Sequence, residues 1–298
     1  PIIERAQTTT KPIAAFLTPN AEESARMLAE ASIAVFRTPE ACADAMRAYF
    51  EWHPPTDAPK LTQALAADLV RIAQGQGPTS AVDSAHVLTL LGIEQARTVT
   101  LGMNAADLSS IPELKQIKFP VAVKIVSPDI AHKTEAGGVI LNVADEQALL
   151  GALRQMRETV KQRRPGATLE GFAVQEMRQG LAEVLLGYRV DSHVGSTIAV
   201  GVGGVLAEVY RDVVLSLAPV SVDTARTMVE KVRGLAPIRG YRNLPPGDIE
   251  ALARVVAAWS SLATIPGSRI TEAELNPLLV GGAGEGVAAV DALIVRQP

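Results

Sequence analysis

The segment SPDIAHKTEAGG (residues 127–138) gathers His132, Lys133, Glu135 and the pair Gly137 and Gly138, with Lys124 just ahead of it. An imidazole, two ammonium groups and a glycine-hinged backbone suit the handling of phosphate. Glycines let backbone N–H groups turn toward an anion, and a lysine adds charge. Imidazole nitrogen is a nucleophile near neutral pH, so a histidine in such a loop can carry a phosphoryl group covalently.

Further oxygen-bearing residues stand in apolar surroundings. Glu274 and Asn276 lie two apart in a strand-like run, so their side chains leave one face, and Asp291 sits between Val290 and Ala292. Such groups are costly to bury unpaired. Two explanations are equally open: hydrogen bonding at a sheet end, or ligation of a divalent cation such as Mg²⁺, which takes hard oxygen ligands. Lys124 ends the run VAVK, either as an edge lysine whose stem is buried or as a lysine that reaches a phosphate. Glu176 and Glu183 are acids within apolar strands, paired to an arginine or facing a nucleotide's amine or ribose. Gly201, Gly203 and Gly204 form a second glycine cluster, read as a turn unless it faces the first loop. His53, His86 and His193 read as linker, helix and turn residues, the basic run at 161–164 as a helix C-terminus, and Cys42 as apolar filler.

These residues need strands and helices to hold them. Apolar runs at 119–126 and 139–143 bracket the loop, and 145–164 has helical spacing through Leu149, Leu153, Met156 and Val160. Runs at 172–177, 183–190, 197–202, 205–210 and 213–217 predict five strands of a mostly antiparallel sheet. Helices are expected near 81–91, 105–116, 223–232 and 248–262, a strand near 97–101, and a closing hairpin from 269–280 and 287–295. Upstream, strands at 13–17 and 33–36 alternate with helices at 22–30, capped by Asn20, and 39–50, capped by Thr38. That is a parallel α/β unit too small to bury both faces of a sheet. The run EWHPPTDAPK, with three prolines, reads as a linker. The boundaries are therefore 1–52, 53–60 and 61–298. The chain opens at Pro1 on a polar stub and is expected to be a piece of something longer.

Composition excludes several classes. The net charge of −4, from 28 basic and 32 acidic residues, argues against a nucleic-acid partner. Aromatics at 4% supply few stacking platforms for single strands. No apolar run is long enough to span a membrane, and the first residues carry no signal-peptide core. A single cysteine precludes an internal disulfide and fits a reducing cytoplasm.

Four motifs, FPVAVKIVSPDIAHKTEAGGV (119–139), VQEMRQGLAEVLLG (174–187), VGVGGVLAEVYRD (200–212) and ELNPLLV with AVDALI (274–280 and 289–294), together resemble the ATP-grasp portion of the NDP-forming, here ADP-forming, acyl-CoA synthetases. Kin of that family include the β subunit of succinyl-CoA synthetase. Residues 25–46 also look like the end of the flavodoxin-like CoA-ligase domain that precedes ATP-grasp in single-chain members. The resemblance implies an α/β (α+β) fold and a ligase that interconverts acyl-CoA, phosphate and ADP with carboxylic acid, CoA and ATP through phosphohistidine.

It also implies roles. His132 would take the phosphoryl group. Lys124 would meet the nucleotide phosphates, and Gly137, Gly138, Gly203 and Gly204 would be among the nucleotide-binding residues. Glu176 would stand at the adenine-side hinge and Glu183 near the ribose or the adjacent phosphate region. Asn276 and Asp291 would hold Mg²⁺, with Glu274 in support. ATP or ADP and Mg²⁺ are the implied cofactors. CoA and the acyl substrate would be reached through upstream domains, and a homo-oligomer is compatible with the pattern. The sequence departs from the family at Ser216, where arginine is frequent, and at Val194, Gly195 and Ser196, where Phe-Gly-Pro is usual. Two rival readings are a ligand-sensing regulatory module without catalysis and an ATP-grasp carboxylate–amine ligase. The retained His132 and the end of the chain after the hairpin favour the synthetase over the first, and a carboxylate–amine ligase does not need a loop histidine.

Overall fold

A computed structural model describes residues 2–52, 63–103, 108, 111–130, 133–204 and 212–297. The chain divides into two units, Pro1–Thr56 and Asp57–Pro298. His132, His53 and the strand expected at 205–210 lie outside the described residues, as does the expected linker at 53–60.

In the first unit, α1 (Ile2–Gln7) precedes β1 (Ala14–Phe16), α2 (Glu22–Glu30), β2 (Ala34–Phe36) and α3 (Pro39–Glu51). The strands pair in parallel, Ala14 opposite Ala34 and Phe16 opposite Phe36, as the strand–helix alternation predicts. Thr38 caps α3 by accepting from the Ala41 N–H at 3.2 Å, and Pro39 takes the first helical position. Asn20 does not cap α2: Ala21 occupies that position and makes no side-chain bond. An aromatic group on and beside α3, Tyr49, Phe50 and Trp52, is largely exposed.

The second unit opens with α4 (Gln63–Ala73) and α5 (Ala81–Leu90), the latter capped by Ser80. Two antiparallel sheets follow. The four-stranded one has the order β3 (Thr98–Gly102), β6 (Gly171–Glu176), β4 (Val121–Val126), β5 (Val139–Val143). Helix α6 (Glu146–Arg163) covers one face and buries Leu149, Leu153, Met156 and Val160 with Val121, Val123, Ile125, Phe172 and Val174. The six-stranded sheet runs β11 (Val287–Ala289), β10 (Ile270–Val280), β7 (Ala182–Asp191), β8 (Gly195–Val202), β9 (Val213–Leu217), with β12 (Ala292–Arg296) also paired to β10. Helices α7 (Val222–Lys231) and α8 (Ile249–Ser260) share its core, where Val184, Leu186, Ile198, Val200, Leu252, Val256 and Trp259 are fully buried.

The structure corrects the expected five-stranded sheet. β6 pairs with β3 and β4 in the smaller sheet, Gln175 standing opposite both Thr98 and Ala122. Spacing alone made residues 172–177 and 183–190 neighbours. The short connection instead carries the chain across to the larger sheet, where the Leu181 N–H donates to the Val280 carbonyl at 2.7 Å. Of the helix expected at 105–116, the described part is a 3₁₀ turn, Pro112–Gln116. Helices α1 and α4 were not foreseen. Among the described residues, no helix is long and apolar enough to cross a membrane.

Candidate nucleotide site

The face of the small sheet turned away from α6 follows from alternation in β4 and β6. Val121, Val123 and Ile125 point into the α6 core, which turns Ala122 and Lys124 to the other face, together with Gln175. On the large sheet, Ala273 and Leu275 point into the helix-covered core, so Glu274 and Asn276 project from the opposite face.

The two surfaces meet at a break in the ladder of β10. Pairing with β12 ends at Leu275 opposite Ala292, and pairing with β11 starts at Leu278 opposite Ala289. In the gap, the Asn276 N–H donates to the Asp291 carbonyl at 3.3 Å and the Val290 N–H donates to the Pro277 carbonyl at 3.1 Å. Lys124 reaches this gap. Its Nζ donates to the Val290 carbonyl at 3.2 Å and stands 3.5 Å from Asp291 Oδ2. The Lys124 side chain is 12% exposed while that of Asp291 is 45% exposed, so a cation held from below faces an open carboxylate. Burial lowers the Lys124 pKa from the usual lysine value; the Asp291 carboxylate opposes this and Lys133 adds to it.

The loop after β4 is anchored at both ends. Asp129 Oδ2 accepts from the Thr168 N–H at 2.7 Å, which holds its carboxyl below the usual range. On the far side Arg163 Nη1 donates to the Glu135 carbonyl at 3.2 Å. Gly137 has φ +72°, and a side chain there would strike Thr159 Cγ2. Gly138 hydrogen-bonds through its carbonyl to the Ile125 N–H at 2.8 Å, beside Lys124.

Gly203 and Gly204 come to Glu183 rather than to the first loop. The Gly203 N–H donates to the Glu183 carbonyl at 2.8 Å, and Gly204, at φ +75°, leaves room for Glu183 Oε2. Glu183 is exposed. Glu176 is the last residue of β6; its Oε1 accepts from the Lys118 N–H at 2.9 Å, tying the strand end to the segment before β4. Lys124, Gly138, Asn276 and Asp291 are thus brought together, while Glu176 and the Glu183–Gly204 pair mark other parts of the surface. Sequence reasoning missed Gln175, which donates to the same Val290 carbonyl at 3.0 Å. The signal available was its two-residue spacing from Ala173, opposite Lys124 in the register.

The donor set fits a divalent ion that arrives with a nucleotide. Asp291 Oδ1 accepts only the Ala292 N–H, and the Asn276 and Glu274 side chains have no partner among the described residues. Nor, among the described residues, do three or more His, Cys, Asp or Glu side chains cluster as a metal cage. Few protein oxygens, with the remainder from phosphate and water, is the usual arrangement for Mg²⁺.

The model of the ATP-grasp domain family matches residues 71–295. An ADP-forming acetate–CoA ligase I from Archaeoglobus fulgidus is 35% identical over 217 residues, which are 73% of this chain and 31% of that one. The β subunit of the ADP-forming acetate–CoA ligase II from Pyrococcus furiosus is 30% identical, over 76% of this chain and 94% of that subunit. An acetyl-CoA synthetase 1 of Ca. Korarchaeum cryptofilum, solved with coenzyme A, Ca-AMPCP and HgCl⁺, superposes with a TM-score of 0.69 at 30% identity, covering 78% of this chain and all of that one. Another structure of it, at a TM-score of 0.65, holds a phosphorylated phosphohistidine segment. The chain belongs to the ATP-grasp family, in the branch formed by the NDP-forming acyl-CoA synthetases. It spans about a third of the single-chain relative's length and nearly all of the β subunit's.

Proposed function

We propose that this chain is the nucleotide-binding half of an ADP-forming acyl-CoA synthetase, and that its cleft exchanges a phosphoryl group between ADP and His132. The observation that carries the reading is the meeting of Lys124 from one sheet with Asp291 from the other, 3.5 Å apart. Phosphoryl transfer asks a protein for charge neutralisation and in-line positioning more than for covalent chemistry. Lys124, buried to its ammonium, neutralises phosphate oxygens from the small-sheet side. Asp291 and Asn276, with Glu274 in support, would hold Mg²⁺, which would supply further charge neutralisation for the phosphates.

Glu183, backed by Gly203 and Gly204, faces the ribose, and Glu176 fixes the hinge segment at the adenine side. Gly137 and Gly138 set the near end of the loop beside Lys124. In the ATP direction of the reaction run backwards, a His132 ring nitrogen bonds to the γ-phosphorus as the bond to the β-phosphate oxygen breaks, leaving ADP.

The first unit is read as the end of a CoA-ligase-type domain, with 53–60 as its linker to the ATP-grasp domain at 61–298. CoA and the acyl group would be supplied by further domains or a partner subunit, as the relative named a β subunit suggests. The one cysteine and the absence of a spanning helix among the described residues support a cytoplasmic enzyme. Incubation with γ-labelled ATP and Mg²⁺ tests the central step. Acid-labile label on wild type and none on His132→Ala is the expected result. Equal labelling of both would remove His132 from the mechanism.

A further inference from the structure

We infer that Gln175 is a positioning residue for the cation-binding gap: with Lys124 it clamps the Val290 carbonyl and so fixes where the Asp291 carboxylate stands. The inference rests on the reading of Lys124 and Asp291 as the phosphate and metal pair. Gln175 is 7% exposed and its Nε2 donates twice, to the Val290 carbonyl at 3.0 Å and to Thr98 Oγ1 at 2.9 Å. The Thr98 hydroxyl already donates to the Ala96 carbonyl at 2.9 Å, so toward Gln175 it can only accept.

Both neighbours of the amide are therefore acceptors, and its orientation is set: turned over, Oε1 would meet two lone-pair groups. The consequence is that Oε1 is buried with no hydrogen-bond partner among the described residues. An unpaired buried acceptor is unfavourable, and a methionine of similar size would not carry one. What the amide supplies in return is its donors. The small sheet thereby delivers two of them, Gln175 Nε2 and Lys124 Nζ, to one carbonyl of the large sheet. That carbonyl belongs to the residue directly before Asp291, at the point where the ladder of β10 is interrupted. Without the clamp the gap residues lose their tie to the small sheet, and Asp291 its fixed distance from Lys124.

The test titrates ADP into the full chain calorimetrically, once with Mg²⁺ and once with EDTA, for wild type, Gln175→Met, Asp291→Ala, the Gln175→Met/Asp291→Ala double variant and Lys124→Met. Residues that hold a metal ligand in place without touching the ion typically change metal affinity by about 10–100-fold. Gln175→Met is expected to weaken the Mg²⁺-dependent part of binding by about tenfold. It should leave binding in EDTA unchanged and cost nothing further once Asp291 is alanine. If Gln175→Met titrates as wild type while Asp291→Ala loses the Mg²⁺ dependence, the inference is overturned and the site reading stands. If Asp291→Ala and Lys124→Met both titrate as wild type, the site reading itself fails and takes the inference with it. Gln175→Glu, equal in size but with no N–H to offer, serves if the methionine variant does not fold. Both variants unfolded would make Gln175 a structural brace and overturn the inference.

Discussion

Lys124 stands out because its carbon stem is packed in a sheet while its ammonium has been given a use. A lysine so placed is expensive unless a partner waits, and the partners here are a carbonyl and a carboxylate from the other sheet. Lys124→Met is expected to weaken Mg·ADP binding by about 10–100-fold, the equivalent of one charge-assisted hydrogen bond of roughly 1.5–3 kcal/mol. Calorimetric titration of the folded variant checks this, and an unchanged affinity would place the phosphates elsewhere. Lys124 and Asp291 were legible in the sequence because a charge inside an apolar strand demands an explanation wherever the strand goes. Gln175 was not. An uncharged residue in such a run raises no question, and its role comes from Thr98, 77 residues away, and Val290, 115 away. His132, outside the described residues, rests on residue type alone, which is why its role is argued from chemistry and tested by labelling.

Helices and strands with a regular period could be read directly. Spacing of four gave α6, and Asp145 caps it by accepting from the Ala148 N–H at 2.8 Å. The strands of the large sheet announced themselves by alternation, but periodicity says nothing about which strand a run will pair with, and so β6 was assigned to the wrong sheet. Close backbone approach was equally hidden. A side chain at Gly203 would stand 2.7 Å from the Val184 carbonyl carbon, a backbone atom that cannot rotate away. Gly203→Ala is therefore expected to destabilise the fold by about 1–3 kcal/mol, seen as a lowered thermal midpoint.

The cap of α8 gives a pH dependence. Asp248 Oδ1 accepts from the Ala251 N–H at 2.9 Å, and Oδ2 accepts from Gly286 and Gly284, each at 3.1 Å. The Ala251 bond, more than those from Gly286 and Gly284, lowers the folded-state pKa of Asp248. The unfolded chain thus binds the proton more readily. The stabilisation is complete above the ordinary aspartate pKa and is lost as pH falls through the folded value. Asp248→Ala should cost about 1 kcal/mol at neutral pH. That difference from wild type should shrink in denaturation curves taken below about pH 3. A constant difference would mean that the cap does not titrate.

At the scale of the whole molecule, the division of the chain after Thr56 falls inside the proline-rich run that the sequence marked as a linker. The second unit has both sheets and both hydrophobic cores, so residues 57–298 produced alone should fold cooperatively and bind Mg·ADP as the full chain does. Circular dichroism melting and titration of that piece decide it, and a molten or non-binding product would show that the first unit completes the nucleotide site. Charge and aromatic content argued against a nucleic-acid partner; what composition could not show was how two sheets far apart in sequence close on one gap.

That closure is the central claim, and Mn²⁺ in place of Mg²⁺ tests it most directly. With Mn·ADP bound, the side-chain amide of Asn276 and the ε-methylene of Lys124 should broaden beyond detection in NMR spectra of selectively labelled protein, and Asp291→Ala should restore both. Saturating Mn·ADP that leaves those two signals sharp would contradict the account.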